Sequence, residues 1–296
     1  MKLKIAVIGG SGFLGSHIAD ALTDAEYEVS VFDIHKSPWL KPAQKMIICD
    51  IRDADAMKEK MCGFDYVYHL AGLADIGKAA SSPKETIERN IMGSANVLEA
   101  CLCNNVRRIL FASTVYVYSS QGSFYRVSKQ AVENIIEAYQ EKFGLKYTIL
   151  RYGSLYGPRA QEWNGLRRYV MQAVKEKKIK YPGTGDERRE YIHIKDAARL
   201  SVDALKPSYE NKCLNITGSQ ILNSRELLHM INEIMGKKVS IIFEPDKIDP
   251  AHYEITPYRF TPRGAYKMVP DVFIDIGQGI LELVEEYYHK NNMGNQ

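Results

Sequence analysis

The amino-acid sequence predicts an α/β protein built on a doubly wound parallel β-sheet. Short apolar runs alternate with helical patterns through the first half of the chain, and the first run leads directly into a glycine-rich loop. This alternation is typical of βαβ units, whose parallel strands are buried on both faces. A chain of 296 residues can form one large domain or two smaller ones.

The composition excludes several classes of protein. The chain is 45% hydrophobic and 25% charged, as in ordinary globular proteins, and its net charge of +3 is too small to indicate a nucleic-acid or membrane partner. No apolar run approaches the roughly 20 residues of a membrane span. The five cysteines show no spacing that indicates disulfides or a metal site. We therefore expect a cytoplasmic protein without a metal.

The first element is a strand over residues 3–8, followed by Gly9, Gly12 and Gly15 and by a helix over about 16–24. Glycines at this spacing permit a tight turn, a close approach of the backbone to a pyrophosphate, and tight packing of helix on strand. The free N–H groups at the start of the helix would face the phosphates. The loop predicts a dinucleotide site of the Rossmann type.

The second strand, Glu28–Asp33, ends in an acid about 20 residues after that loop. A carboxylate there accepts a hydrogen bond from the ribose 2′-hydroxyl and repels a 2′-phosphate. Asp33 therefore favours NAD over NADP, although His35 and Lys36 weaken the preference. The alternative is that Asp33 is a solvated turn residue at the end of a strand.

Further strands are predicted over residues 45–51, 65–72 and 109–114, with a long helix over 83–104. Thr114 ends the third of these strands, at the edge where open α/β sheets bind their ligands. Tyr125 and Lys129 follow at the head of a helix over 125–143, and positions i and i+4 share one helical face.

A cation beside Tyr125 would favour the phenolate, since a free tyrosine with a pKa of about 10 is a poor base at neutral pH. We therefore predict that Thr114 supplies a hydroxyl and that Tyr125 acts as a base. Lys129 would be the cation that lowers the pKa of Tyr125. Tyr-x-x-x-Lys is also common on amphipathic helices, so a surface pair is the alternative.

The regular alternation of strands and helices is interrupted after Arg159. We expect a nucleotide-binding domain over residues 1–159, to which 190–217 return. Residues 160–189 and 218–296 are expected to form a smaller C-terminal α/β lobe that binds the substrate.

Taken together, the motifs resemble the extended short-chain dehydrogenase/reductase superfamily, in the NAD-dependent epimerase/dehydratase branch that acts on nucleotide sugars. The resemblance covers nearly the whole chain. The residues and motifs that match the family pattern are Gly9-x-x-Gly12-x-x-Gly15, Asp33, Asp50-Ile51, His69-Leu70-Ala71-Gly72, Asn90, Ser113-Thr114, Tyr125-x-x-x-Lys129, Leu150-Arg151-Tyr152, Tyr156-Gly157-Pro158-Arg159 and Arg189-Glu190-Tyr191-Ile192-His193.

The resemblance implies NAD as cofactor and a role for each matching residue. Phe13 and Leu14 would offer backbone N–H groups to the pyrophosphate, and Asp50 and Ile51 would flank the adenine. The other implied cofactor-binding residues are Gly9, Gly12, Gly15, Asp33, Leu70, Ala71, Gly72, Asn90, Tyr125, Lys129 and Tyr152. Thr114, Ser154 and Arg189 would bind the nucleotide sugar, with Arg189 on its phosphates.

Three departures from the family pattern affect the expected reaction. Val115 and Tyr116 stand where similar 4,6-dehydratases carry an Asp-Glu pair, which argues against dehydration. Ser154 replaces an asparagine of many relatives. Only six residues separate Tyr118 from Tyr125, so the rim of the active site should be lower.

We expect an NAD-dependent epimerase of a nucleotide-activated sugar, acting at C4 through a transient 4-keto intermediate. The alternative is a nucleotide-sugar 4-ketoreductase or dehydrogenase with net hydride transfer. A third hypothesis is a regulator that binds NAD and catalyses no reaction. Such a sensor would not need a tyrosine whose pKa is lowered by a neighbouring cation.

A homodimer is also expected, because the helices over 83–104 and 125–143 carry more apolar residues than one buried face requires. The residues that suggest this are Met92, Val97, Cys101, Val132, Ile135, Ile136 and Tyr139. The alternative is that they pack only against their own sheet and the substrate-binding lobe.

Overall fold

The computed structural model describes residues 2–219, 221–247, 266–270 and 272–293 of the chain. Its strands are β1 (Lys4–Ile8), β2 (Glu28–Asp33), β3 (Lys45–Ile48), β4 (Tyr66–His69), β5 (Arg108–Thr114), β6 (Tyr147–Tyr152), β7 (Ser154–Tyr156), β8 (Lys178–Tyr181), β9 (Arg188–His193), β10 (Lys212–Ile216), β11 (Ile221–Asn223), β12 (Ser240–Phe243) and β13 (Tyr266–Met268).

The α-helices are α1 (Phe13–Asp24), α2 (Ala54–Lys60), α3 (Ile76–Ser81), α4 (Pro83–Thr86), α5 (Gly93–Cys103), α6 (Ser123–Phe143), α7 (Gly165–Glu176), α8 (Ile194–Asp203), α9 (Ser224–Ile234) and α10 (Ile276–Met293). A π-helical segment, Ile87–Met92, joins α4 to α5, and a 3-10 turn, Val115–Tyr118, follows β5.

Eight strands form one parallel sheet in the order β13-β10-β6-β5-β4-β1-β2-β3. The strand order reverses between β1 and β4, and a crevice opens at such a reversal beyond the carboxyl ends of the strands. The predicted doubly wound parallel sheet is confirmed.

Alternate residues of the central strands supply the two apolar layers of this sheet. Ile5 and Val7 of β1 pack into a core that also contains residues of α1 and α8. Ala6 and Ile8 face the opposite way, into a core shared with α2, α5 and α6. Side chains of a strand point alternately to opposite faces, so both faces of an inner strand must be apolar.

The second core corrects part of the argument for a homodimer. Val97, Cys101, Val132 and Ile136 are at most 1% exposed and pack against the chain's own sheet. These four residues are therefore not available for a subunit contact. Met92 remains 56% exposed.

A third apolar core lies among the later elements, between α7, α9 and α10. Two small sheets accompany it, one of β11, β9 and β7 and one of β12 and β8. Helix α8 packs against α1, and β10 pairs with β6 in the main sheet. The division of the chain into two domains stays a prediction.

Two strands end earlier than the sequence pattern indicates, and one predicted helix is interrupted. The strands predicted to reach residues 51 and 72 stop at Ile48 and His69, because the residues that follow turn away to line a cavity. The helix predicted over 83–104 contains the π-helical turn described above, a feature that often marks functional positions.

A buried ion pair connects α6 to the middle of the sheet. Glu133 and Arg151, at 0% and 1% side-chain exposure, form two hydrogen bonds of 3.0 and 2.7 Å. Ser113 Oγ donates to Glu133 Oε1 at 2.5 Å, and Arg151 donates to the Tyr118 hydroxyl at 2.6 Å. That hydroxyl donates to Asn215 Oδ1 at 3.1 Å. The network thus joins α6, β5, β6 and β10.

Replacing Glu133 by glutamine should lower the free energy of unfolding by about 3–5 kcal/mol, because the Arg151 guanidinium would stay buried without its counter-charge. Urea denaturation measures this loss. The double variant Glu133→Leu/Arg151→Met should recover most of it, since an apolar pair of similar volume leaves no uncompensated charge.

Glu141→Gln is the matched control, because Glu141 lies exposed on the same helix. It should change the unfolding free energy by no more than about 0.5 kcal/mol. If Glu133→Gln is as harmless as this control, the ion pair does not stabilise the fold.

Candidate active site

A cavity of about 420 Å³ opens at the carboxyl ends of the parallel strands. Its lining includes residues at or just after the ends of β1, β2, β3, β4, β5 and β6, so it occupies the crevice predicted from the strand order. The predicted site residues among its lining are Gly9, Gly12, Phe13, Leu14, Gly15, Asp33, Asp50, Ile51, Leu70, Ala71, Gly72, Thr114, Tyr125, Lys129 and Tyr152.

The glycine loop leaves no room for side chains. Gly9 has a φ of +83°, and a Cβ there would lie 2.6 Å from the amide nitrogen of Ala71. A Cβ on Gly15 would lie 2.2 Å from the carbonyl oxygen of Gly9. Helix α1 begins directly after Gly12, which caps it without a side-chain hydrogen bond. The bare backbone and the helix N-terminus form a cradle that suits a pyrophosphate.

Two carboxylates flank this cradle at the end where an adenosine would lie. Asp33 accepts hydrogen bonds from the backbone N–H groups of Ser11 at 3.0 Å and Ile34 at 2.8 Å, which fixes its orientation. Asp50 binds Arg52 at 2.6 Å, and this partner lowers the pKa of Asp50. The residues present therefore fit the adenosine and diphosphate of NAD.

Lys129 is buried beneath Tyr125. Its ammonium donates to the carbonyl oxygen of Ala112 at 2.7 Å and lies 4.7 Å from the Phe111 ring centroid and 6.0 Å from that of Tyr125. Burial lowers the pKa of Lys129 to about 8, while Glu133 opposes that shift. Thr114 is 5% exposed and lines the same cavity as Tyr125 and Lys129. The structure thus brings the three predicted catalytic residues together.

Asn90 supports the wall of the cavity from behind. Its side chain accepts from Leu73 N at 2.6 Å and donates to Leu73 O at 3.1 Å and to Ser128 Oγ at 2.9 Å. It therefore ties the segment after β4 to helix α6, between Tyr125 and Lys129. His69 is a core residue, because it is 1% exposed and hydrogen-bonds Ser94 Oγ at 2.8 Å. Burial lowers the pKa of His69 to about 3.

Asn90, Ser154 and Arg189 lie outside the lining of the cavity. Ser154 begins β7, and Arg189 belongs to β9, where it pairs with Leu222 of β11. The contacts predicted for these three residues with cofactor or substrate stay predictions. The roles predicted for the residues that line the cavity also stay predictions.

The lining of the cavity also includes residues that the sequence did not place there. These are Arg52, Ala74, Ile76, Arg89, Tyr116, Gln161, Trp163 and Asn164, together with residues adjacent in sequence to the predicted ones. Asn164 caps α7 by accepting from Arg167 N at 3.2 Å. An asparagine before a glycine and an amphipathic run is a recognisable helix start, but no local signal shows that this start faces the nucleotide groove.

No group of three or more histidine, cysteine or acidic residues suited to a metal ion occurs within the described ranges. The helices of the same ranges include none that is long and apolar enough to cross a membrane.

Comparison with known proteins agrees with this geometry. Residues 5–217 match the family described as the NAD dependent epimerase/dehydratase family. A putative UDP-glucose 4-epimerase of Methanocaldococcus jannaschii is 26% identical and covers 97% of this chain and 99% of its own length. A UDP-N-acetyl-alpha-D-glucosaminuronate decarboxylase of Bacillus cytotoxicus is 26% identical, with coverage of 88% and 89%.

Among solved structures, the UDP-glucose 4-epimerase of Thermus thermophilus in complex with NAD superposes with a TM-score of 0.80. It is 25% identical and covers 97% of this chain and 99% of its own. The family match extends over more than half of the sequence and includes the glycine cradle, Thr114, Tyr125 and Lys129. The chain belongs to the NAD-dependent epimerase/dehydratase family.

Proposed function

We propose that the protein is an NAD-dependent epimerase of a nucleotide-activated sugar, and that it inverts the configuration at C4. The proposal rests on one observation: Thr114, Tyr125 and Lys129 line the same cavity as the glycine cradle and Asp33. Relatives that are UDP-sugar epimerases by name support a UDP-sugar as substrate. A cytoplasmic location stays a prediction from composition.

Each of the three residues has a separate task at the reacting hydroxyl. Tyr125, as a phenolate, removes the hydroxyl proton and later returns it. Thr114 hydrogen-bonds the sugar oxygen, and its position is fixed because its own Oγ1 accepts from the backbone N–H of Tyr116 at 3.3 Å. The Lys129 ammonium stabilises the phenolate electrostatically.

When bound, the cofactor would supply reversible hydride transfer, as NAD⁺ taking a hydride from the sugar carbon and as NADH giving one to the transient ketone. Gly9, Gly12, Asp33 and Asp50 would hold the adenosine and diphosphate. Val115 and Tyr116 carry no acid for the elimination of water, so the residues after Thr114 favour epimerisation over dehydration.

Incubation with UDP-, dTDP-, GDP- and CDP-sugars, followed by NMR of the products, tests the proposal. An epimerase should convert one or more of them to the C4 epimer without net formation or consumption of NADH. Stoichiometric change in NADH would instead identify a ketoreductase or dehydrogenase, and inertness towards the panel would contradict both.

Tyr125→Phe should lower turnover by a factor of about 10² to 10⁴ and leave NAD binding nearly unchanged, because it removes the base and keeps the ring. Steady-state kinetics and NAD fluorescence quenching measure the two effects. A variant that retains more than about a tenth of the wild-type rate would remove Tyr125 from the mechanism.

Lys129→Met should move the acidic limb of the profile of kcat/KM against pH to higher pH. A cation stabilises the phenolate, so its loss requires a higher pH to form the same fraction of base. NAD should also bind more weakly. A lower rate with an unchanged pH profile would mean that Lys129 holds the cofactor only.

We also propose that two copies of the chain pair through the start of α6 and the π-helical segment, which pack side by side. The exposed apolar residues there are Ile87 at 44%, Met92 at 56%, Phe124 at 40% and Val127 at 46%. A self-complementary contact would cover these residues on both chains.

Light scattering at low micromolar concentration should show a dimer, and Met92→Glu should shift it towards monomer. Ile48→Glu is the control, because Ile48 is 51% exposed on β3 at the far edge of the sheet. A monomeric wild type would contradict the dimer, whereas a dimer unaffected by Met92→Glu would place the interface elsewhere.

A further inference from the structure

Lys129 and Glu133 lie one helical turn apart on the face of α6 that packs against β5. Lys129 Nζ donates to the carbonyl oxygen of Ala112 at 2.7 Å, and Glu133 Oε1 accepts from Ser113 Oγ at 2.5 Å. Side chains four residues apart on a helix are neighbours, with Cβ atoms about 5–6 Å apart. Two consecutive residues of one strand therefore hold the ammonium and the carboxylate beside each other.

Both charged groups are removed from water. Lys129 is 7% exposed and Glu133 is 0% exposed, so their interaction is stronger than that of a surface pair. Burial lowers the pKa of Lys129 to about 8, and the Glu133 carboxylate raises it. A pKa of about 8 leaves Lys129 mostly protonated at pH 7. Without the carboxylate the pKa would fall further, and the ammonium would be only partly formed at that pH.

The titratable side chains around Lys129 come from four described parts of the chain. They are Tyr125 and Glu133 on α6, His69 on β4, Tyr116 in the turn after β5, and Arg151 and Tyr152 on β6. Burial and the Lys129 ammonium lower the pKa of His69 to about 3, so His69 is neutral near pH 7. Burial also raises the pKa of Tyr152, which keeps its hydroxyl neutral. Glu133, fixed by Arg151, thus supplies the negative charge of this group.

We propose that Glu133 is a positioning residue for the reaction, whose buried carboxylate holds the Lys129 ammonium beneath Tyr125 in its charged form. This inference rests on the proposed function, in which that ammonium stabilises the Tyr125 phenolate. Glu133 lies outside the described lining of the cavity, so it acts through Lys129 and not on the sugar or the cofactor. Its ion pair with Arg151 then serves the reaction as well as the stability of the fold.

NMR titration of the Lys129 side chain, in protein labelled with ¹³C and ¹⁵N at lysine, measures the charge of this ammonium without turnover. Glu133→Gln should lower the pKa of Lys129 by about one pH unit or more, as expected when a neighbouring opposite charge is lost. Lys129→Arg identifies the resonance. Glu141→Gln is the matched control, because Glu141 is exposed further along the same helix. It should leave the pKa of Lys129 within about 0.2 pH units, since distant exposed charges are screened.

The double variant Glu133→Leu/Arg151→Met separates charge from stability. It puts an apolar pair of similar volume in place of the ion pair, so the fold should recover, yet no carboxylate lies beside Lys129. The pKa of Lys129 should therefore remain below the wild-type value. The proposal is overturned if Lys129 titrates in Glu133→Gln as it does in the wild type, or if the double variant regains the wild-type pKa.

The rate should respond to the same charge. In Glu133→Gln the basic limb of the profile of kcat/KM against pH should move to lower pH with the pKa of Lys129, because loss of the ammonium removes the stabilisation of the phenolate. A basic limb that stays in place would overturn the role of Glu133 in the reaction.

The titration and the turnover together distinguish the two proposals. If the pKa of Lys129 falls as expected but no sugar nucleotide is epimerised by the wild type, the epimerase function fails and the action of Glu133 on Lys129 stands. If epimerisation occurs and the pKa does not respond, only the role of Glu133 is wrong.

Discussion

The active site depends on the attachment of α6 to the carboxyl end of β5. Three consecutive residues of that strand are involved: Ala112 accepts from the Lys129 ammonium, Ser113 donates to Glu133, and Thr114 lines the cavity beside Tyr125. Tyr125, Lys129 and Glu133 are spaced four residues apart, so one face of the helix meets the strand repeatedly. A shift of either element would move the threonine hydroxyl relative to the phenol.

Charge is distributed unevenly along the cavity. Apart from Lys129, the charged residues of its described lining lie towards the end where an adenosine would bind, and they are Asp33, Asp50, Arg52 and Arg89. Near Tyr125 the ammonium of Lys129 is buried in a medium of low dielectric constant, and burial lowers the pKa of Lys129 to about 8. Electrostatic interactions are stronger in such a medium, so a single cation has a large effect on a neighbouring phenol.

The short segment between Tyr118 and Tyr125 leads into α6 through a tight backbone turn and needs no long loop. Gly122 and Ser123 take left-handed conformations, with φ of 96° and 45°, and α6 begins at Ser123. Arg126 donates to Ser119 O and Gln130 to Val117 O, so the helix itself fastens the segment. This packing holds Tyr116 against Tyr125 and shapes the wall of the cavity.

The sequence by itself determined the parallel sheet, the glycine cradle and the pairing of Tyr125 with Lys129, because each depends on residue spacing within one or two neighbouring elements. Tertiary structure decided which apolar residues of α5 and α6 are buried: Val97 and Ile136 belong to the core, and Met92 does not. It also decided that Trp163 and Asn164 reach the cavity, and that Glu133 meets an arginine 18 residues away. These contacts join elements that are distant along the chain, and residue spacing alone carries no information about which of them will meet.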